Sequence, residues 1–256
     1  MKTQILRALV KLQVDKYPFT PKRLVSRLRY LRDIISTWDK MPGDDERLVY
    51  RTNAYWTDLR IKSALDAFSV EYKDSPLRFY TRVLMASQQI SEYEAILDFG
   101  AGTGINSHQM SKNFPGTKFS CYDIAYHVPR VFDAFSRAMS TQRVSYHNTL
   151  NAALIPGQLV YSNLVFSHLS KHQLTTYLAV FKKNKSDILM IANTLTKQDD
   201  KSPLTKVRSG NLGLFDHNYR KFFNEAGYRI QWLFQIEDPA SADKKMTIIF
   251  ATVCSH

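Results

Sequence analysis

The sequence predicts an α/β protein: a doubly wound, mostly parallel sheet with an antiparallel C-terminal strand, preceded by a helical extension. Three observations carry this. A strand-like run, Ile96-Leu97-Asp98-Phe99, opens into a glycine-rich turn, Gly100-Ala101-Gly102-Thr103-Gly104, and then into a helical stretch. From about 94 to 195, short apolar runs alternate with helical ones, the rhythm of a parallel sheet covered on both faces. Near the C-terminus two strand-like runs follow one another with no helix between them, which favours antiparallel pairing.

Taken in order, residues 1–90 read as helical. Leu24, Val25, Leu28, Leu31, Ile35 and Trp38 recur at helical spacing, and Pro42-Gly43 interrupts them. Further helices are expected over 57–68 and from Ser75-Pro76 onward. In the second zone the predicted order is strand 94–99, helix 105–113, strand 118–122, helix 129–139, strand 144–148, strand 159–166, helix 171–183 and strand 187–193. In the third zone Asp216 is expected to cap a helix through Phe222 and Phe223 that stops at Gly227. Tyr228, Ile230, Trp232, Phe234 and Ile236 then alternate with polar residues as a strand does. Met246–Val253 is the last strand, joined to it by the polar stretch 237–245.

Composition narrows the class. In 256 residues, 44% are hydrophobic, enough for a sizeable core. No apolar run reaches the roughly 18 residues a membrane-spanning helix needs. Arg7 and Lys11 interrupt the first apolar stretch, so it does not read as a signal peptide. Two cysteines, Cys121 and Cys254, fit a reducing compartment, and the expected location is cytoplasmic. The net charge is +12, and residues 1–40 supply +7 of it. A surface of that sign favours anionic partners such as RNA or lipid headgroups, or is simply solvated.

The glycine spacing discriminates between ligands. Glycines let the chain turn sharply and let a ligand approach without a Cβ in the way. A dinucleotide fingerprint, G-x-G-x-x-G, would need glycine at Ile105 or Ser107. A nucleoside triphosphate loop, G-x-x-x-x-G-K-[ST], is missing as well. What stands is D-x-G-x-G-x-G over Asp98, Gly100, Gly102 and Gly104. The next strand ends in Asp123, 19 residues past Gly104. A carboxylate there is suited to accept two hydrogen bonds from a cis-diol.

Asp98-Phe99-Gly100-Ala101-Gly102-Thr103-Gly104 resembles motif I of the class I S-adenosylmethionine-dependent methyltransferases. The resemblance covers about residues 92–254. It implies a Rossmann-like domain over 91–256, S-adenosylmethionine as cofactor, and Asp123 on the ribose hydroxyls. It places Asn148 or His147, at the end of the third strand, at the adenine, where the family commonly has an acid. It also implies that Asn163 and the phrase Val165-Phe166-Ser167-His168-Leu169 face the methyl donor. Residues 1–90 would then be a basic lid that selects the acceptor.

Methyl transfer is an in-line displacement, so the protein chiefly positions the partners and takes up a proton. Histidine suits that last task near neutral pH. His168 is the first candidate and His217 the second. His172 lies one helical turn from His168, but Leu169-Ser170-Lys171 between them is not the H-E-x-x-H zinc pattern, and no metal is expected. The region 162–165 also lacks the proline-rich turn of enzymes that methylate nucleobase amines in DNA. Together with Val165–Leu169, the aromatic-rich N-terminal part resembles bacterial methyltransferases of surface-glycan synthesis. The leading expectation is therefore an enzyme that methylates a hydroxyl of a sugar or other small metabolite. Its first helix, basic and amphipathic, is suited to rest on an anionic inner membrane face. The alternatives are an RNA methyltransferase that uses the basic helices, and a non-catalytic binding protein with the same fold.

Overall fold

The run Ala95–Phe99 becomes a strand (β1) because it is apolar on both sides: Ile96, Leu97 and Phe99 are all buried. That is the signature of a strand inside a parallel sheet. A computed structural model describes residues 88–102, 104–123, 132, 143–194, 198–199, 201–207, 215–238 and 241–254. The expected basic helices of 1–87 and most of the expected helix 129–139 lie outside the described residues.

After β1 come helix α1 (Ile105–Asn113), β2 (Lys118–Tyr122) and β3 (Val144–His147). A short helix α2 (Leu150–Ala153) leads to β4 (Leu159–Asn163), then α3 (Lys171–Lys183) and β5 (Asp187–Thr194). A small ribbon follows, β6 (Thr205–Val207) with β7 (Phe215–His217), then α4 (Tyr219–Glu225) and the hairpin β8 (Tyr228–Asp238) and β9 (Ser241–Val253). The seven-stranded sheet runs β3-β2-β1-β4-β5-β9-β8. Strands β1 to β5 pair parallel with one another, and β9 is antiparallel to both β5 and β8. This is the doubly wound sheet with an antiparallel C-terminal strand that the sequence predicts.

Alternation along the strands builds two cores. Ile96, Phe119, Tyr161, Leu189 and Ile248 face one side with Met110 of α1. Leu97, Phe99, Val160, Ile188 and Met190 face the other, under Leu178 and Phe181 of α3 and Phe222 and Phe223 of α4. Burying a Leu or Phe fully is worth about 1.5–3 kcal/mol, so the sheet is clamped firmly from both faces. Among the described residues, no helix is long and apolar enough to cross a membrane.

Three expectations are corrected. β4 ends at Asn163 rather than at 166: Leu164 takes a left-handed φ of 62°, and a 3-10 turn, Phe166–His168, follows. The cap of α4 is Asn218, whose side chain accepts from the Lys221 N–H. Asp216 is spent inside β7, paired with Lys206 in the ribbon. The stretch 237–245 is not a separate connection, because β8 and β9 run on into it and pair out to Asp238 opposite Ser241. Gly227 does end α4, in the left-handed conformation at φ 77°.

Candidate active site

The carboxyl ends of parallel strands meet at one edge, and ligands of open α/β sheets gather there. At this edge the chain leaves β1 through three left-handed glycines, Gly100 (φ 77°), Gly102 (φ 55°) and Gly104 (φ 76°). Close approach explains two of them. A Cβ on Gly100 would lie 2.2 Å from Val165 Cγ2, and one on Gly104 2.8 Å from the Phe132 ring. The turn is thus pressed against the segment after β4 on one side and an aromatic ring on the other. Gly104 also serves as the N-cap of α1.

Asp123 follows β2, and its Oδ2 accepts from the Gly102 N–H at 2.8 Å. This bond fixes the carboxylate at the mouth of the glycine turn. The Tyr122 carbonyl accepts from the N–H groups of Gly100 and Ala101, at 2.8 and 3.1 Å. The two strand ends are therefore stitched together at the point where the motif predicts a ligand. Tyr146 adds a wall: its hydroxyl donates to the Asp123 carbonyl at 3.2 Å, and its ring lies 5.6 Å from that of Phe132.

Asp98 sits beneath the turn, 2% exposed, and accepts from the Ser107 hydroxyl at 2.7 Å. Burial pushes its carboxyl up to about 7, the Asp123 charge pushes the same way, and the Ser107 hydrogen bond opposes them. A buried acid held near neutrality beside a second acid favours a cationic ligand group. His108, one turn into α1, is buried and lowered to about 4 by burial and then by Lys112.

The segment after β4 forms the opposite lip. Both amide atoms of Asn163 are buried without a hydrogen-bond partner, and the strained Leu164 comes directly after it. Unsatisfied polar groups and left-handed non-glycine residues concentrate at functional sites. Phe166 anchors the following turn by packing its ring edge-on to Phe99, with centroids 6.1 Å apart. His168 ends that turn, half-buried.

The sequence-predicted residues thus divide. Asp98, Gly100, Gly102, Gly104 and Asp123 form one cluster, with Val165 packing the lip of Asn163 and His168 onto it. Asn148 is exposed, one residue beyond β3. His217 is elsewhere in character: it is fully buried at the end of β7. Its Nε2 is 2.8 Å from the Leu169 carbonyl and its Nδ1 3.0 Å from Thr205 Oγ1. Phe215, Tyr219 and Phe222 surround the ring at 5.1–5.8 Å. Those contacts make it a clamp that ties the ribbon to the turn bearing His168. Ser107, Tyr146 and Phe132 were not singled out in the sequence, because each reaches the site only through a tertiary contact.

The residues fit S-adenosylmethionine on their own evidence. A turn with glycine at 100, 102 and 104, a fixed carboxylate at its mouth, a buried acid beneath and an orphaned amide opposite match a ligand with a diol and cationic groups. No family model matches the sequence, and no curated protein does. Solved structures do. One is the 1,6-didemethyltoxoflavin-N1-methyltransferase of Burkholderia thailandensis, with 1,6-didemethyltoxoflavin and S-adenosylhomocysteine bound: TM-score 0.59, 13% identity, covering 84% of this chain and 92% of that one. Another is an S-adenosylmethionine-dependent methyltransferase of Mesorhizobium loti, with TM-score 0.52 and 12% identity over 70% of this chain and 99% of that one. A third is the [4+2]-cyclase SpnF, with TM-score 0.54 and 11% identity over 70% and 81%. The chain therefore has the class I S-adenosylmethionine-dependent methyltransferase fold.

Proposed function

We propose that this protein is an S-adenosylmethionine-dependent methyltransferase whose acceptor is a hydroxyl of a sugar or other small metabolite, used in surface-glycan synthesis. One observation carries the cofactor: Asp123 holds the N–H of Gly102 at 2.8 Å in the middle of a three-glycine turn. Fold alone does not carry the activity, since a cyclase shares it. When bound, the cofactor supplies a methyl group already activated by its sulfonium. The chain's own residues do the rest. Asp98 supplies negative charge beneath the turn. Asn163 orients a polar group at the opposite lip. His168 would accept the hydroxyl proton of the acceptor.

Residues 1–90 act as the lid in this reading, and their basic first helix holds the enzyme at an anionic membrane face. Calorimetric titration with S-adenosylmethionine and S-adenosylhomocysteine tests the cofactor. Wild-type protein should bind both, and Asp123→Ala should weaken binding at least tenfold, about 1.4 kcal/mol. Failure of the wild-type protein to bind either would leave a non-catalytic protein with this fold. His168→Ala should keep cofactor affinity while turnover with a hydroxyl acceptor falls by about 10²–10⁴.

A further inference from the structure

The 3-10 turn Phe166–His168 and helix α3 meet at Leu169 and Ser170. The turn closes with two backbone bonds. The His168 N–H donates to the Val165 carbonyl at 2.8 Å and the Leu169 N–H to the Phe166 carbonyl at 3.3 Å. Helix α3 starts its own ladder at Ser170, whose carbonyl accepts from the Leu174 N–H at 2.9 Å. Leu169 lies between the two, extended at φ −85° and ψ 137° and buried. Its carbonyl takes its partner from outside both elements, since a buried carbonyl left without one costs about as much as a lost hydrogen bond.

His217 is that partner, from 48 residues away, with Nε2 at 2.8 Å from the Leu169 oxygen. A carbonyl can only accept, so the proton sits on Nε2, and Nδ1 accepts from the Thr205 hydroxyl at 3.0 Å. The ring is wedged in place. Phe215 stacks on it at 17°, and Tyr219 and Phe222 meet it edge-on at 66° and 84°. Its backbone is held as well: the Gln198 side chain donates to the His217 carbonyl at 3.0 Å and accepts from the Arg220 N–H at 3.3 Å. His217 is therefore a rigid post that presents one N–H to the turn.

We infer that His217 is a positioning residue for His168: by holding the Leu169 carbonyl it fixes the far end of the turn that presents the His168 imidazole. The inference rests on the reading of His168 as the proton acceptor. The near end is fixed by Val165 against Gly100 and by Phe166 against Phe99. Ser167 and His168, between the two anchors, have little freedom to shift. Proton transfer demands this, because the partners must come within roughly 2.6–3.2 Å, and a misplacement of about 1 Å can cost on the order of 10² in rate. His217 ends β7, so the ribbon after β5 becomes part of the support of the active site.

Backbone hydrogen exchange on the full chain tests this without an acceptor. His217→Asn places its amide near the position of Nδ1 and loses the bond to Leu169. His217→Gln extends its amide to the position of Nε2 and keeps that bond, and both variants lose the ring packing. In His217→Asn the His168 and Leu169 N–H groups should exchange at least tenfold faster relative to the Leu174 N–H, and His217→Gln should restore most of the protection. Thr205→Val, which removes the hydroxyl at Nδ1 and leaves the ring, should give a smaller loss, and decides the matter if the His217 variants do not fold. The His168 ring is the second readout. In protein carrying isotope-labelled histidine, its imidazole signals, assigned by their loss in His168→Ala, should move in His217→Asn and return in His217→Gln. Equal behaviour of the Asn and Gln variants would assign the effect to ring packing and overturn the inference, as would His168 signals that stay in place in all three variants. The base reading fails separately: if His168→Ala leaves turnover intact while this pattern holds, His217 still positions the turn and His168 is not the base.

Discussion

Asp98 keeps its proton to higher pH in the folded protein than in the unfolded chain, and this has measurable consequences. Its carboxyl is raised from 3.8 to about 7, by burial first, with Asp123 adding and Ser107 opposing. Between those values the folded state binds a proton that the unfolded state has released. Stability therefore falls as pH rises through that window, by an order-of-magnitude total of about 4 kcal/mol. His108 runs the other way: lowered from 6.5 to about 4, it contributes stability that is lost as pH falls through that range. A bound cation reverses the preference of Asp98 and draws off its proton. Titrations of S-adenosylmethionine below pH 7, in two buffers of different ionisation enthalpy, should thus show proton release. The release should vanish well above pH 7 and in Asp98→Asn. A second residue-scale expectation concerns Gly100. Gly100→Ala meets both the Val165 side chain at 2.2 Å and a φ of 77°, and should weaken cofactor binding and lower thermal stability. Adding Val165→Ala removes the clash but leaves the backbone strain of roughly 1–2 kcal/mol, so thermal denaturation of the double variant should show partial recovery only.

Elements were legible in the sequence where the local pattern and the tertiary fold agree. β1, α1, β2 and α3 have the expected bounds to within a residue, because apolar runs with glycine or polar breaks leave one reading. The segment 159–166 offers no such break. Its apolar residues suit a strand throughout, and only the packing of Val165 on Gly100 explains why the chain turns at Leu164. Asp216 and Asn218 are both good caps by type, and the choice fell to the ribbon, since β7 uses Phe215–His217 to pair with β6. The burial of His217 was hidden for the same reason: the residues that enclose it come from β6, α4 and the turn after β4. By contrast, the cap of α3 is readable and testable. Ser170 accepts from the Gln173 N–H at 3.2 Å, and the Gln173 side chain accepts from the Ser170 N–H at 3.0 Å. Ser170→Ala should cost about 1 kcal/mol, a fall in Tm of about 2–4 °C for a chain this size. Since the capping Ser170 lies two residues after His168, turnover should fall further than stability alone explains.

At the scale of the whole molecule, the net charge of +12 separates the acceptor classes. The candidate site brings together one glycine turn, two acids and an orphaned amide. None of these tracks a polyanion, and Asp98 and Asp123 oppose phosphates near the glycine turn. The basic excess lies largely in residues 1–40, away in sequence from the motif. If a long nucleic acid is the acceptor, its affinity must come through that charge. Its logarithm should then fall linearly with the logarithm of salt concentration, with a slope near −0.7 per phosphate contact for a single strand. If the acceptor is a neutral sugar, the charge serves another purpose, such as holding the enzyme at an anionic surface, and the chemistry is blind to it. Turnover of a soluble sugar acceptor should therefore stay nearly constant from low to high salt, while binding to vesicles of anionic lipid collapses over the same range. Measuring kcat/KM and vesicle binding across one salt series separates the two. A steep fall in kcat/KM with a small neutral acceptor would place the basic residues at the active site itself and overturn the division of labour between lid and site.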